Sequence, residues 1–286
     1  MNCKQSIEQN QVEMLAWNIQ SGGFLTYDPN STNPERGPKI QRAISTIRNQ
    51  HTTNTICLTD AYRWDEVYGG DSGIATHIGT REARFIRLQD DRLDRKIGAG
   101  VGIAFGTNHT IESSRALDLD TRQGLGVILD VGKYGLQIAN VYLDDMSEEV
   151  RINSIRALVN ELEPDMPTIL VGDFNALRPD MKGASFSNKA KNIAVKSLAI
   201  ALSKRSPLGI AVTEMNKRTA IPLIESYGFQ DADSLKKMPT APARLPIFGV
   251  DYVFSNGLVN ISDYRVHPDT GASDHRPLTF TASTAG

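Results

Sequence analysis

The 286-residue chain contains only two cysteines, Cys3 and Cys57. Two thiols cannot complete a four-coordinate zinc site, and their settings argue against a disulfide: Cys3 lies in a polar N-terminal stretch, Cys57 inside the apolar run Ile56-Cys57-Leu58. One surface thiol and one core thiol are expected. Long apolar runs are missing as well. Nothing approaches the roughly 20 residues that a helix needs to cross a bilayer. The opening stretch MNCKQSIEQNQVEML has no apolar centre of the kind found in secretory signals. These absences lead to the expectation of a cytoplasmic protein with no membrane anchor. Neither charge predominates: 31 basic and 33 acidic residues leave a net charge of −2. That balance excludes a protein that coats nucleic acid through its overall charge, while leaving room for a local basic patch. Internal repeats and low-complexity linkers are lacking, and nothing points to a protein partner.

What is present is an ordinary globular composition, 40% apolar and 22% charged, able to bury a sizeable core. Short apolar runs alternate with amphipathic segments. Strands are predicted at Val12–Ile19, Thr55–Thr59, Arg84–Leu88, Val101–Gly106, Leu125–Val131, Leu136–Tyr142, Thr168–Val171, Gly249–Ser255, Val259–Val266 and Pro277–Ala282. A helix is predicted from Glu35 to Gln50, with Asn33 as cap, Pro34 in the first turn and Ile40, Ile44 and Ile47 on one face. A second helix follows Ser147, its Ile152, Ile155, Val159 and Leu162 at helical spacing, and stops at Pro164. Further helices are expected at Asn188–Arg205 and Thr213–Tyr227. Many strands with hairpin-like spacing and few helices fit an α/β class: a four-layered α/β sandwich of two packed, mainly antiparallel sheets flanked by helices. One domain is expected over residues 12–282, with short tails at 1–11 and 283–286.

Four segments share a layout in which an apolar strand ends in polar residues. They are Leu15-Ala16-Trp17-Asn18-Ile19, Ile56-Cys57-Leu58-Thr59-Asp60, Ile169-Leu170-Val171-Gly172-Asp173-Phe174-Asn175, and Gly271-Ala272-Ser273-Asp274-His275-Arg276-Pro277. A fifth, Val250-Asp251-Tyr252-Val253-Phe254, places a carboxylate at the start of a strand. Charged groups seldom end apolar strands unless they are paired or hold a cation. Singly, each has a commonplace reading: Gly-Asp-x-Asn is often a turn, Ser-Asp-His a surface loop, a strand-end Asn a partner for a neighbouring peptide. Their joint occurrence in this order is the signal.

In that order the motifs resemble the endonuclease/exonuclease/phosphatase superfamily, also called DNase I-like, over about Val12 to Ala282. The resemblance implies a Mg²⁺-dependent phosphoester hydrolase, with Mn²⁺ as an alternative ion. Asn18 and Asp60 would help to hold the metal, an oxygen-seeking cation that keeps several waters. Asp274 would lie at its edge. Asp173 would align or deprotonate the attacking water, and Asn175 would grip a phosphoryl oxygen. His275, oriented by Asp251, would donate to the phosphate as charge builds. Tyr142, in Asn140-Val141-Tyr142, sits where part of the family carries a residue contacting the phosphate or leaving group, and Asn140 is a weaker candidate for the same pocket. These residues are expected to converge in one cleft at the sheet edges. In-line attack by water needs positioning and charge neutralisation rather than a protein nucleophile, and none appears in these motifs.

Two departures bear on activity and branch. Asp60 stands where the family usually has Glu, shorter by one C–C bond of roughly 1.5 Å. Asp145 stands where the apurinic endonucleases carry Asn. Nucleic acid is the expected substrate; a small phosphoester such as an inositol phosphate or phospholipid head group, or a phosphate-binding module with little turnover, are the alternatives. Arg178–Arg218 holds nine basic residues and two acidic ones, either a solvated helix face or a surface following a phosphate backbone. The loop after Asp60, with Arg63, Trp64 and Tyr68, could stack on a base or ribose. Arg276, beside His275, is a further substrate-binding candidate.

Overall fold

The computed structural model describes residues 10–20, 36–87, 102–120, 123–177, 213–214, 217–233, 238–244, 246 and 248–284. Two six-stranded sheets pack face to face. One runs β11 (Val259–Val266), β12 (Leu278–Thr284), β1 (Gln11–Asn18), β2 (Thr55–Thr59), β4 (Gly102–Thr107), β3 (Glu82–Arg87). The other runs β5 (Ile111–Asp118), β6 (Gln123–Leu129), β7 (Leu136–Tyr142), β8 (Thr168–Asp173), β10 (Asp251–Ser255), β9 (Gln230–Asp231). In each sheet the central pair is parallel, β1 with β2 and β7 with β8, and the other pairings are antiparallel. A parallel pair needs a crossover rather than a hairpin. The helices α1 (Arg36–His51) and α4 (Glu148–Glu161) supply these crossovers.

Period-two alternation divides the apolar residues into three layers. Val12, Met14 and Ala16 of β1 meet Ile138, Ile169, Val171 and Val253 between the sheets. Leu15 and Trp17 face outward to Ile40, Ile44 and Ile47 of α1, to Ile74 and Ile78 of α3 (Gly70–Ile78), and to Trp64 of α2 (Trp64–Tyr68). Ala139, Val141, Leu170, Tyr252 and Phe254 face outward to Ile155 and Leu158 of α4 and Ile221 of α5 (Ala220–Ser226). Layers of helix, sheet, sheet and helix result, as the alternation predicts.

Gly172 has a structural reason to be glycine. Its φ is +134°, and a Cβ there would stand 2.1 Å from the Val141 carbonyl oxygen. Its register partner is Val141, so the missing side chain lets β8 close onto β7 one residue before Asp173.

Differences from the sequence reading have physical causes. The last strand continues to Thr284 and the first begins at Gln11, paired with Ser283, so the sheet runs past residues 12–282. The helix expected over Thr213–Tyr227 is interrupted: Thr213 and Glu214 are helical, the described residues Lys217–Thr219 are not, and a helix resumes over Ala220–Ser226. A proline ring collides with the carbonyl four residues back, here Arg218, whose φ is +57°; Pro222 therefore tolerates only a helix that starts just before it. In α4 the buried face is Arg151, Ser154, Ile155 and Leu158, rotated from the predicted stripe, with Ile152 and Val159 half-buried. β5 has no counterpart among the predicted strands, because this edge strand exposes most of its residues; nor do α2 and α3 have one among the predicted helices, since both lie in the expected loop after Asp60. Cys57 is buried and free. Asn33, Cys3, the segment Asn188–Arg205 and most of the basic residues after Arg178 lie outside the described residues.

Gly172→Ala forces β7 and β8 apart beside the cleft. It is expected to cost about 3 kcal/mol, at the upper end for overpacking with a disfavoured backbone. Urea unfolding measures this, and a variant as stable as the parent would mean that the close approach has no energetic role.

Candidate active site

The C-terminal ends of both parallel pairs open onto one edge of the sandwich. Asp173 ends β8, with Tyr142 opposite it on β7 and Asp251 opposite it on β10. In-register neighbours point to the same face, so all three side chains lean toward the other sheet. From that sheet Asn18, ending β1, donates its Nδ2 to Asp173 Oδ2 at 2.8 Å. The Asn175 backbone N–H donates to Asp173 Oδ1 at 2.9 Å. Asn175 turns into a left-handed conformation, φ +47°, and its Nδ2 donates to the Leu143 carbonyl at 3.1 Å. Gln20 and Asp60, just past the ends of β1 and β2, also have positive φ. Asn and Asp are among the residues that tolerate this region best, so the strand-end polar residues also shape the turns that end the strands.

His275 comes from the loop before β12. Its Nδ1 lies 2.8 Å from Asp251 Oδ2, and its Nε2 lies 3.9 Å from Asp173 Oδ2 and 4.0 Å from Asp274 Oδ1. Three anchors fix that loop. Ser273 Oγ donates to the Asn18 carbonyl at 2.7 Å and accepts the His275 N–H at 3.1 Å, and the Trp17 indole donates to the His275 carbonyl at 2.9 Å. Burial opposes charge on His275. The adjacent Asp251, its hydrogen bond, and the carboxylates of Asp173 and Asp274 outweigh that cost and push its pKa up to about 10. Burial raises the Asp173 carboxyl to about 7, reinforced by the like charge of Asp251. His275 and the hydrogen bonds from Asn175 and Asn18 act in the opposite sense.

The structure thus brings Asn18, Tyr142, Asp173, Asn175, Asp251, Asp274 and His275 to one edge. Asp60 follows Thr59, the register partner of Asn18, at the same edge, and is partly buried. Two candidates suggested by the sequence go elsewhere. Asn140 is fully buried, and its Nδ2 donates to the carbonyls of Leu58 and Ala104 at 3.3 Å, so it ties the two sheets together behind the cleft instead of lining a phosphate pocket. Trp64 is also fully buried, edge-on to Tyr68 and His77 in the α1–α3 layer, and has no face for stacking on a base. Arg63 places its guanidinium on Glu66 at 2.6 Å. Arg276 donates Nε to the Ala243 carbonyl at 2.8 Å and its N–H to Thr240, buckling the 240–244 loop to the His275 loop.

Sequence reasoning assigns no role to Ser273 or Thr240. Ser273 stands inside a quoted motif, and its hydroxyl flanked by Asp-His is the available signal. Thr240 Oγ1, which accepts from the N–H groups of Val250 and Asp251 ahead of β10, has none.

The family model described as "Endonuclease/Exonuclease/phosphatase family" matches residues 15–275, from the strand carrying Asn18 to His275 itself. The chain belongs to this family. The family includes nucleases, phosphodiesterases and phosphatases. Solved structures share the fold. An endonuclease/exonuclease/phosphatase from Beutenbergia cavernae aligns with a TM-score of 0.64 at 14% identity, over 97% of this chain and 72% of its own. The endonuclease domain of TRAS1, a telomere-specific non-LTR retrotransposon, aligns with a TM-score of 0.59 at 14% identity, over 96% and 99%. The human Nocturnin catalytic domain with bound sulfate aligns with a TM-score of 0.59 at 14% identity, over 96% and 94%. No curated protein matches the chain in sequence. Among the described residues no helix is long and apolar enough to cross a membrane.

A divalent cation, typical of the family, suits the donor chemistry. Asp173, Asp251 and His275 bring one donor-type atom each within 4.8 Å of one another, but His275 is held as an imidazolium with Nδ1 on Asp251, so the donors open to a cation here are oxygens. Asn18 gives away its N–H and keeps a carbonyl oxygen, which takes the Gln20 N–H at 2.9 Å. The Asp274 side chain is 49% exposed beside His275. Three carboxylates around one imidazolium leave an excess of negative charge, and oxygen donors of this kind suit a hard divalent cation.

The electrostatics predict a titration. In metal-free protein the His275 imidazolium should persist to about pH 10. Asp251→Asn, which removes the nearest carboxylate, should move the midpoint toward the ordinary value of about 6.5. Imidazole chemical shifts followed by NMR report it; an unchanged midpoint would place the cause elsewhere.

Proposed function

We propose that the chain is a divalent-metal-dependent hydrolase of phosphodiesters, acting on nucleic acid by in-line attack of water. The observation that carries this reading is the arrangement around Asp173: an acceptor carboxylate raised to about 7, an imidazolium 3.9 Å away, and an amide on either side. A base is most effective when its pKa lies near the working pH, and burial beside Asp251 gives Asp173 that property. Asn18 and the Asn175 N–H each hold one oxygen of Asp173, which fixes the direction from which it can take a proton from water. One Asn175 Nδ2 hydrogen goes to the Leu143 carbonyl, which orients the side chain so that the second N–H of the same amide can donate to a phosphoryl oxygen. The contact from His275 Nε2 to Asp173 is too long for a hydrogen bond, so this N–H is available to a phosphoryl oxygen, and Asp251 on Nδ1 keeps the ring oriented and charged. Tyr142 lies beside Asp173 and can contact the phosphate or the leaving oxygen. Asn18, Asp60 and Asp274 would hold the metal, which supplies neutralisation of phosphoryl charge when bound. Nucleic acid as substrate is favoured by the basic run after Asn175, and the retrotransposon endonuclease domain is a neighbour in fold. With Trp64 buried and Arg63 paired, base stacking by that loop drops out of the reading.

His275→Ala should lower kcat by about 10²–10³ with a much smaller change in KM, because its N–H meets charge that develops in the transition state. Initial rates on plasmid DNA, single-stranded DNA, RNA and a bis-aryl phosphodiester test this. Near-normal turnover would make His275 a structural residue.

Asp60→Glu should lower the Mg²⁺ concentration giving half-maximal rate, and Asp60→Ala should raise it or abolish activity, since such sites rest on one or two carboxylates. A metal titration of initial rate on one substrate decides, with Mn²⁺ in parallel. Superimposable curves for the three proteins would remove Asp60 from the metal site.

A further inference from the structure

The least expected buried group is an ion pair outside the cleft. Arg151 and Glu148, one turn apart on α4, have side chains 0% and 3% exposed, joined Nε to Oε2 at 2.8 Å. Taking two charges out of water costs several kcal/mol per ion, and such a pair is poor evidence for stability. Here the guanidinium is not even fully satisfied, because Nη2 is buried without a hydrogen-bond partner among the described residues. What the pair does have is an unusual set of backbone contacts. Arg151 Nη1 donates to the Asp144 carbonyl at 2.6 Å. Glu148 Oε1 accepts from the Thr219 N–H at 2.7 Å, the Thr219 hydroxyl at 2.5 Å and the Ala220 N–H at 2.8 Å. Burial would raise the Glu148 carboxyl, but the bonds from Thr219, Arg151 and Ala220 together hold it below its ordinary value.

The contact to Asp144 matters most, because Asp144 follows Leu143, and Leu143 is gripped by the site. The Leu143 N–H donates to the Asp173 carbonyl at 2.9 Å, and the Leu143 carbonyl accepts Asn175 Nδ2 at 3.1 Å. Asp144 Oδ1 meanwhile accepts the N–H groups of Met146 and Ser147, fixing the turn into α4. The exit of β7 is therefore held on one side by Asp173 and Asn175 and on the other by Arg151.

We infer that the buried Glu148–Arg151 pair is a positioning device for the hydrolytic site: Arg151 fixes the Leu143–Asp144 peptides, and those peptides set the orientation of Asn175. Arg151 touches no reacting atom. Its effect on rate rests on the hydrolase reading above, whereas its effect on Asn175 does not.

The test replaces the pair by neutral groups of similar size, Glu148→Gln with Arg151→Met, so that no lone buried charge remains. Two readouts are taken. The Asn175 side-chain amide resonances, assigned by NMR, should shift in this variant and return toward the parent position in Arg151→Lys, which keeps a donor for Asp144. kcat should fall about tenfold with KM within about twofold, within the range that sub-ångström to 1 Å misplacement of a catalytic group produces. Ser154→Ala is the control: its hydroxyl binds the Leu119 carbonyl from the same helix without reaching β7. It should leave kcat and the Asn175 resonances at parental values. If the double variant does not fold, Arg151→Lys against the parent decides: an intermediate shift of the Asn175 resonances with about a threefold fall in kcat supports the inference, and parental values of both overturn it. Unshifted Asn175 resonances in the folded double variant, or an equal shift in Ser154→Ala, would overturn the inference. A parent protein without turnover on any phosphodiester would overturn the hydrolase reading alone, because the resonances still decide the role of Arg151.

Discussion

Asp173 and Asp251 face each other in register on adjacent strands, both buried, and two ionised carboxylates in that relation repel strongly where water cannot screen them. The arrangement stands because an imidazolium is held against them. Keeping it there requires a loop that does not move, and several contacts are spent on that loop: Ser273 to the end of β1, the Trp17 indole to the His275 carbonyl, Arg276 to the 240–244 loop. Each anchor belongs to a different element, so the His275 loop joins the sheets at their open edge. Asn18 completes the closure by bonding across the interface to Asp173.

Topology puts these groups where they can meet. A sheet with a parallel pair at its centre must send the chain back through a crossover, and both strands of the pair then end at the same edge. With such a pair in each sheet, four strand ends, those of β1, β2, β7 and β8, are gathered there, and β10 enters antiparallel so that its first residue joins them. Alternation then selects even from odd positions. Val171, Val253 and Ala16 fill the space between the sheets, and the next residues on the same faces, Asp173, Asp251 and Asn18, fall where the core gives out. Asn140, two residues before Tyr142, is still inside. The boundary between core and cleft thus passes within one alternation period, and a one-residue slip in register would turn the carboxylates outward.

The same logic explains what was legible in the sequence. Leu136–Tyr142 and Val259–Val266 can be read to the residue because their alternation and turn signals coincide, and the charged strand ends can be read as one constellation because few other circumstances put carboxylates there. Depth was not legible. Asn140 and Tyr142 have the same parity on the same strand, and nothing local says that one is interior and the other at the rim. Trp64 lies in a polar run that reads as a loop, and only the packing of α1–α3 shows that it closes a core. Arg151 is hidden by the rule that charges face water, which shifts the predicted stripe of α4. Pro222 could have corrected the late helix, since its constraint on the preceding turn is local.

Asp60 remains the position where pattern and physics pull apart. Judged by side-chain length, Asp in place of Glu loses reach, which favours a site that binds metal weakly. Yet the chain at Asp60 is left-handed, with φ +56°, and that conformation is adopted more readily by Asp than by Glu, whose longer side chain gains less from local hydrogen bonding. A left-handed residue after a strand also sends its Cβ off the alternation axis, so the position of its carboxylate is set by the turn as much as by the number of methylenes. Gln20 and Asn175 leave their strands in the same way. Three strand ends at this edge thus break from extended geometry just where polar groups must be aimed, a placement that costs backbone energy and persists where the surroundings hold it. The shorter acid is therefore consistent with a turn built to present it, and its length alone is no argument for a silent site.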